Sequence, residues 1–201
     1  AKVSSKIDLL QNLVTKVDGL VIGGGMANTF LHAMGYGIGK SLAEKDLAET
    51  ALRIMDKAVD SGCAIILPID GVVGWHFEAN TPSRVYGLDA IDKDGMVLDA
   101  GPQSVEKIKT AINEASTIVW NGPLGAFEIP PFDKATVEVA RHAAERGPAP
   151  QPTLYHLPKR PENPLRHATE NPPHPPHQNH HQTPPTPHTK KNPKKQNKPT
   201  H

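Results

Sequence analysis

Residues 19–25 read Gly-Leu-Val-Ile-Gly-Gly-Gly, and residues 26–34 then show the apolar spacing of a helix. A compact apolar run that ends in glycines and leads into a helix is typical of a strand, a tight turn and a helix in succession. Three glycines leave no Cβ between the backbone and a ligand, and the helix directs its positive end into the same space. The stretch predicts an α/β fold with a phosphate-binding turn, although such a turn serves packing about as often.

The same alternation continues along the chain. The spacing predicts helices over residues 5–17, with Ser4 and Ser5 suited to capping, and over 43–60, 103–115 and 133–145, and it predicts strands over 19–22, 63–69, 96–99 and 117–120. Continuous apolar strands separated by helices favour a three-layer, doubly wound, Rossmann-like parallel sheet. The turns after Ile22, Leu98 and Trp120 would then meet at the carboxyl edge of the sheet, where ligands bind.

Composition divides the chain at Arg146. Residues 1–146 carry 14 Lys and Arg against 19 Asp and Glu, a charge of −5, whereas residues 147–201 carry 8 against 2, a charge of +6. The second segment also holds 15 of the 21 prolines and 8 of the 11 histidines, which is typical of a chain that builds no core. We therefore predict one globular domain over 1–146 and a disordered Pro/His/Lys-rich tail over 147–201.

Several functional classes are disfavoured. A mildly acidic domain gives no electrostatic reason to bind nucleic acid, and no apolar run approaches the length of a membrane span or follows the pattern of a signal peptide. Cys63 precedes a buried-looking strand and has no second cysteine with which to pair, so we expect it to be packed and reduced. These observations favour a cytoplasmic monomer without nucleic-acid or membrane partners.

Two further segments carry candidate chemistry. Lys2 and Lys6 lie four residues apart at the start of the first predicted helix, where cations oppose the macrodipole unless an anion sits there; solvated surface lysines are the alternative. Residues 119–128 read Val-Trp-Asn-Gly-Pro-Leu-Gly-Ala-Phe-Glu and combine a strand end, a proline-fixed turn and a carboxylate. A packed turn with Trp120 in the core is the alternative there.

The chain resembles the C-terminal, nucleotide-binding domain of phosphoglycerate kinases. The resemblance covers residues 1–146 and consists of five stretches in the family's order, at 1–7 (AKVSSKI), 23–27 (GGGMA), 39–42 (GKSL), 99–102 (DAGP) and 119–128 followed by 131–133. G-x-G-x-x-G is absent, which speaks against a dinucleotide-dependent oxidoreductase. The glycines at 35, 37 and 39 follow a helix and are interpreted as a loop.

The resemblance assigns roles to individual positions. Lys2 and Lys6 match lysines that contact the nucleotide phosphates and the transferring phosphoryl group, and Lys2 is the candidate catalytic residue. The remaining candidates match positions that bind the nucleotide. Gly24 and Gly25 match glycines beside the base and ribose, and Leu42, Phe77 and Leu98 match parts of an apolar adenine slot. Asn121, Gly122 and Pro123 match the turn on the phosphate side, and Glu128 matches the carboxylate that accepts hydrogen bonds from the ribose hydroxyls. No protein metal ligand is assigned.

The activity that the resemblance implies is reversible phosphoryl transfer between 1,3-bisphosphoglycerate and ADP in glycolysis, with Mg²⁺ bound to ADP or ATP. The family's phosphoglycerate-binding domain and its Gly-Gly-Asp-Thr loop have no counterpart in the sequence. We therefore expect a fragment that binds Mg-nucleotide without turning over, and a tail produced by a frameshift or an assembly error. The alternatives are a metal-binding tail and a non-catalytic binding module that uses the tail.

Overall fold

A computed structural model describes residues 3–146. Lys2 and the predicted tail, residues 147–201, lie outside the described residues. The helices are α1 Ile7–Leu13, α2 Gly24–Ala33, α3 Ala48–Ser61, α4 Pro102–Glu114 and α5 Lys134–Glu145, with short 3-10 turns at Lys45–Leu47 and Leu88–Ala90. The strands are β1 Gly19–Val21, β2 Ala64–Ile66, β3 Asp70–Gly74, β4 Ser83–Gly87 and β5 Met96–Ala100.

The strand, glycine turn and helix predicted from residues 19–34 are confirmed as β1 and α2. The first helix, in contrast, is shorter than predicted and is not capped by a serine: Lys6 is the N-cap residue and makes no side-chain capping bond. The reason is that the amide and the hydroxyl of Ser4 both donate to the carboxylate of Glu44. A contact 40 residues away in the sequence thus replaces the local cap.

The described strands form two sheets rather than one parallel sheet. Strands β1 and β2 pair in parallel, with Leu20 opposite Ile65, whereas β3 pairs antiparallel with both β4 and β5. Only residues 67–69 separate β2 from β3, and a parallel pairing needs a crossover of a dozen or more residues. The chain therefore turns directly into a second, antiparallel sheet, two strands of which, β3 and β4, were not predicted.

The prediction of a strand at residues 117–120 is wrong, because the backbone is irregular there. Val119 is 91% exposed and Trp120 is 42% exposed. A strand is stabilised by ladder hydrogen bonds and by side chains packed on a neighbour, and residues 117–120 pair with no described strand. The apolar run Thr-Ile-Val-Trp has strand propensity without a partner within residues 3–146.

Two buried clusters flank the parallel pair. The first is built by α1, α2 and α3 around Phe30 and Ile54, and the second by α4 and α5 around Ile108 and Val139. Leu20 and Ile65 pack against the first cluster, whereas Val21 and Ile66 pack against the second. Successive strand residues point to opposite faces, so the small β1–β2 pair has helices packed against each of its faces.

No helix among residues 3–146 has the length and apolar character needed to cross a bilayer.

Candidate functional site

The amino end of α2 is shaped by glycines that permit close approach. Gly24 is the first helical residue, has a φ of +59°, and donates its amide to the carbonyl of Leu124 at 2.9 Å. A Cβ on Gly23 would lie 2.9 Å from the Leu124 side chain, and one on Gly25 would lie 3.2 Å from the side chain of Leu42. The glycines therefore hold two loops against the start of the helix.

The first turn of α2 also keeps hydrogen-bond donors available. The amides of Gly25 and Met26 donate to no acceptor within residues 3–146. The amides in the first turn of any helix lack an intrahelical partner, and together with the helix dipole they favour an anion. The structure thus presents an electropositive helix end between the loops of Leu42 and Leu124.

Residues 121–131 cross this end of the molecule and are held at several points. Leu124 accepts from the Gly24 amide, the amide of Ala126 donates to Leu98 O at 2.7 Å, and Pro130 O accepts from the amide of Asn80 at 2.8 Å. The amide of Leu124 itself donates to the Thr136 hydroxyl at 2.9 Å. These bonds join the segment that ends in Glu128 to the turn after β1, to strand β5 and to the loop between β3 and β4.

Lys6 is the candidate cation in this region. Its ammonium nitrogen lies 3.5 Å from the side-chain oxygen of Asn121. The pair connects the start of α1 with a segment 115 residues further along the chain, so the structure brings together two positions that the sequence predicted separately. Lys2, the candidate catalytic residue, lies outside the described residues.

The three apolar candidates differ in exposure. Leu42 is 70% exposed and Phe77 is 65% exposed, whereas Leu98 is buried. Leu42 lies against Gly25, and Phe77 lies in the loop that Asn80 joins to Pro130. Leu42 thus lies beside the glycine-rich helix end, whereas Leu98 supports the 121–131 segment through its carbonyl, which accepts from the Ala126 amide.

The polar candidates of the 121–128 segment face solvent. Asn121, Gly122, Pro123 and Glu128 are all exposed, and Gly122 has a φ of +102°, a conformation that side chains disfavour. The Glu128 carboxylate makes no hydrogen bond or ion pair with any residue from 3 to 146. Its oxygens are therefore available to accept hydrogen bonds from a ligand.

Two buried aspartates that the sequence analysis did not single out as functional hold this region in place. Asp70 is 1% exposed and accepts hydrogen bonds from the amides of Gln103 and Ser104, at 3.0 and 2.7 Å, and from the Ser104 hydroxyl. It thereby supplies the cap that Gly101, which has no side chain, cannot give to α4. A glycine at the N-cap position followed by proline is the sequence signal that a cap must come from elsewhere.

The second buried aspartate, Asp99, joins β5 to α5. Its two carboxylate oxygens accept from the amides of Ala100 at 2.9 Å and Ala135 at 3.0 Å. Burial raises the pKa of Asp99 to about 6, with a smaller contribution from the charge of Asp133, and the two amides partly oppose that rise. A Cβ on Gly125 would lie 2.2 Å from an Asp99 oxygen, so this position of the 121–131 segment requires a glycine.

Comparison with known proteins places these features in a family. The phosphoglycerate kinase family model matches residues 1–151. The phosphoglycerate kinase of Bradyrhizobium diazoefficiens is 71% identical over 146 residues, and that of Brucella suis is 64% identical over the same length. In both cases the match covers 73% of this chain and 37% of the relative, so the chain spans little more than a third of their length.

Solved structures agree with the sequence matches. The phosphoglycerate kinase of Coxiella burnetii superposes with a TM-score of 0.71 at 40% identity, covering 73% of this chain and 38% of that one. The enzyme of Pyrococcus horikoshii gives a TM-score of 0.62 at 26% identity. Since the family model also accounts for most of the sequence, the chain belongs to the phosphoglycerate kinase family.

Proposed function

We propose that this chain binds Mg-ADP and Mg-ATP at the amino end of α2, and that it serves the reversible transfer of a phosphoryl group between 1,3-bisphosphoglycerate and ADP. The observation that carries the proposal is the convergence of three segments at one helix end. Lys6 meets Asn121, the Gly24 amide meets Leu124, and Gly25 lies against Leu42. A cation, free amides and exposed apolar side chains are the groups that a nucleotide requires.

We also propose a three-layer, doubly wound arrangement for the domain. The support is the parallel pair β1–β2 with a helical cluster on each face. In such a sheet, ligands bind outside the carboxyl ends of the strands. The carboxyl end of β1 is the point at which α2 begins, which is where the nucleotide is proposed to bind.

Each end of the nucleotide would meet a different set of groups. Lys6 would neutralise the phosphates, as Lys2 is proposed to do on the resemblance, and Asn121, Gly122 and Pro123 would shape that side. Gly24 and Gly25 would lie against base and ribose, with Leu42, Phe77 and Leu98 forming the adenine slot. Glu128, whose carboxylate has no partner among residues 3–146, would accept hydrogen bonds from the ribose hydroxyls.

The role of the protein in this transfer is positioning and charge neutralisation. The phosphoryl group passes through a transition state with charge spread over its equatorial oxygens, so fixed cations and amides lower the barrier without covalent chemistry. Residues 3–146 contain no group of three His, Cys, Asp or Glu side chains that could hold a metal ion. On the family resemblance, Mg²⁺ would be bound together with the nucleotide and would neutralise charge on its phosphates.

The test is calorimetric titration of the full chain with Mg-ADP, Mg-2′,3′-dideoxy-ADP and Mg-pyrophosphate. Replacing Glu128 by Gln should weaken Mg-ADP about tenfold, because a hydrogen bond to a charged group contributes about 1.5–3 kcal/mol, and should leave pyrophosphate unchanged. Lys6→Gln should weaken both. Glu114→Gln, an exposed glutamate on α4, is the matched control.

The dideoxy nucleotide separates a ribose contact from a general charge effect. If Glu128 accepts the ribose hydroxyls, the native chain should prefer ADP over the dideoxy compound and the Glu128→Gln chain should not. Equal loss for ADP and pyrophosphate in that variant would contradict the assignment. Because the resemblance matches no phosphoglycerate-binding residue to this sequence, we expect the chain alone to bind nucleotide without consuming ATP in the presence of 3-phosphoglycerate.

A further inference from the structure

A cavity lies at the carboxyl end of α2, opposite the proposed nucleotide site. It has a volume of about 440 Å³ and is lined by the last turn of α2, by the glycine-rich loop 35–39, and by side chains from two later segments. A helix rises 1.5 Å per residue, so the ten residues of α2 separate this cavity from Gly24 by roughly 15 Å. None of the proposed nucleotide-binding residues lines it.

The walls of this cavity are basic. His32, Lys45 and Lys93 line it, and none of the lining residues is acidic. The nearest paired carboxylate is that of Asp94, which lies 2.8 Å from the Lys93 ammonium and 2.9 Å from that of Lys40. One carboxylate is thus shared by two ammonium groups, while Lys45 forms no ion pair with any residue from 3 to 146. Lys93 also lies in the field of Asp92, so the basic character belongs to the lining residues themselves, which include two lysines and no carboxylate.

The loop also supplies hydrogen-bond donors. The amides of Gly37, Ile38 and Gly39 donate to no acceptor in the described part of the chain. Ile38 lines the cavity although the residue as a whole is only 3% exposed, and backbone amides in folded chains rarely lack an acceptor. Gly39 has a φ of +54°, and a Cβ there would lie 2.3 Å from Gly95 O, so the loop is held tightly in this conformation.

Carbonyls at the carboxyl end of α2, which would repel an anion, accept hydrogen bonds from the loop that follows. The carbonyl of His32 accepts from the Gly35 amide at 2.9 Å, and that of Leu31 accepts from the Tyr36 amide at 3.0 Å. The other side of the cavity is apolar, with the partly exposed ring of Tyr36 and the side chain of Ile91. The cavity thus combines cations and free amides with an apolar wall.

We propose that this cavity binds a small phosphate monoester with an apolar body. Lys45, Lys93 and the free amides of the 35–39 loop would hold the phosphate, and Tyr36 and Ile91 would contact the body. The volume is within the range of small-molecule sites. The proposal does not depend on nucleotide binding, because the two sites lie at opposite ends of one helix.

Phenyl phosphate is the probe, added to the ¹⁵N-labelled full chain while amide resonances are followed, with Mg-ADP absent and then saturating. We expect shifts at Gly37, Ile38 and Gly39 under both conditions. Lys45→Gln and Lys93→Gln should each weaken binding about fivefold, the upper value for an exposed ion pair. Lys57→Gln, an exposed lysine on α3, should have no effect.

Two outcomes would overturn the proposal. The first is a set of shifts confined to Gly24 and Gly25 that disappears with Mg-ADP, which would mean that the phosphate occupies only the nucleotide site. The second is equal affinity for benzoate, which would remove the assignment to a phosphate. Failure of nucleotide binding would affect neither result, since the probe is first added without nucleotide.

Discussion

The buried carboxyl of Asp99 should make the stability of the domain depend on pH in an unusual direction. Most buried carboxylates are stabilised as anions, but burial raises the pKa of Asp99 from 3.8 to about 6. Between these two values the folded chain holds a proton at Asp99 that the unfolded chain has lost. The free energy of unfolding contributed by this group is therefore largest below pH 4 and falls as the pH rises through 6.

The size of the effect follows from the shift. A rise of about two pKa units corresponds to about 3 kcal/mol lost between pH 4 and 7, at 1.36 kcal/mol per unit. The substitution Asp99→Asn removes the titrating group. The side-chain amide of the Asn faces the backbone amide of Ala100 or Ala135, which lowers the free energy of unfolding by an amount that does not depend on pH. The measurement is urea unfolding of both chains from pH 4 to 7.5, because their difference cancels the other carboxyl groups.

We expect the native chain to lose about 3 kcal/mol relative to the Asn variant over this range. A difference that is constant, or that grows in favour of the native chain as the pH rises, would refute the reasoning. Asp133→Asn serves as a second variant: its charge contributes to the raised pKa of Asp99, so removing it should make the difference smaller.

Two further predictions concern stability. Ser104→Ala should destabilise the chain by about 1–3 kcal/mol, because the Ser104 hydroxyl accepts from the amides of Ile69 and Asp70 at 2.9 and 3.1 Å and the substitution removes this acceptor from both, including the buried Asp70; an unchanged urea midpoint would contradict this role. Ile54→Ala, at a fully buried position of α3, should cost about 2–5 kcal/mol, whereas Leu52→Ala, 41% exposed on the same helix, should cost far less in the same assay.

Features that depend on neighbouring residues could be predicted from the sequence. The apolar run and glycines at 19–25 were sufficient for β1 and the start of α2, and the apolar spacing of α3, α4 and α5 was sufficient for those helices. The start of the first helix differs from the prediction because a distant contact replaces a local one: Ser4 donates hydrogen bonds to Glu44 instead of capping α1.

Features that depend on pairing at a distance could not be predicted. The short connection after β2 excludes a parallel pairing of β3 with β2, but the antiparallel position of β3 between β4 and β5 depends on residues far along the chain, and the apolar pattern of one strand does not encode the direction of its partners. For the same reason an apolar run such as residues 117–120 does not reveal that it lacks a partner. The contact between Lys6 and Asn121 spans 115 residues, so the sequence could place both residues in one site only through the family resemblance.

The segment 99–102 shows how a motif can serve a site without touching a ligand. Leu98 O accepts from the Ala126 amide, and the next residue, Asp99, accepts from the Ala135 amide at the start of α5. The loop that ends in Glu128 and the helix after it are thus anchored to two adjacent residues of β5. Since Gly125 fits against the Asp99 carboxyl only without a side chain, the position of Glu128 depends on this anchor, and Asp99 would support the proposed nucleotide site by fixing the loop.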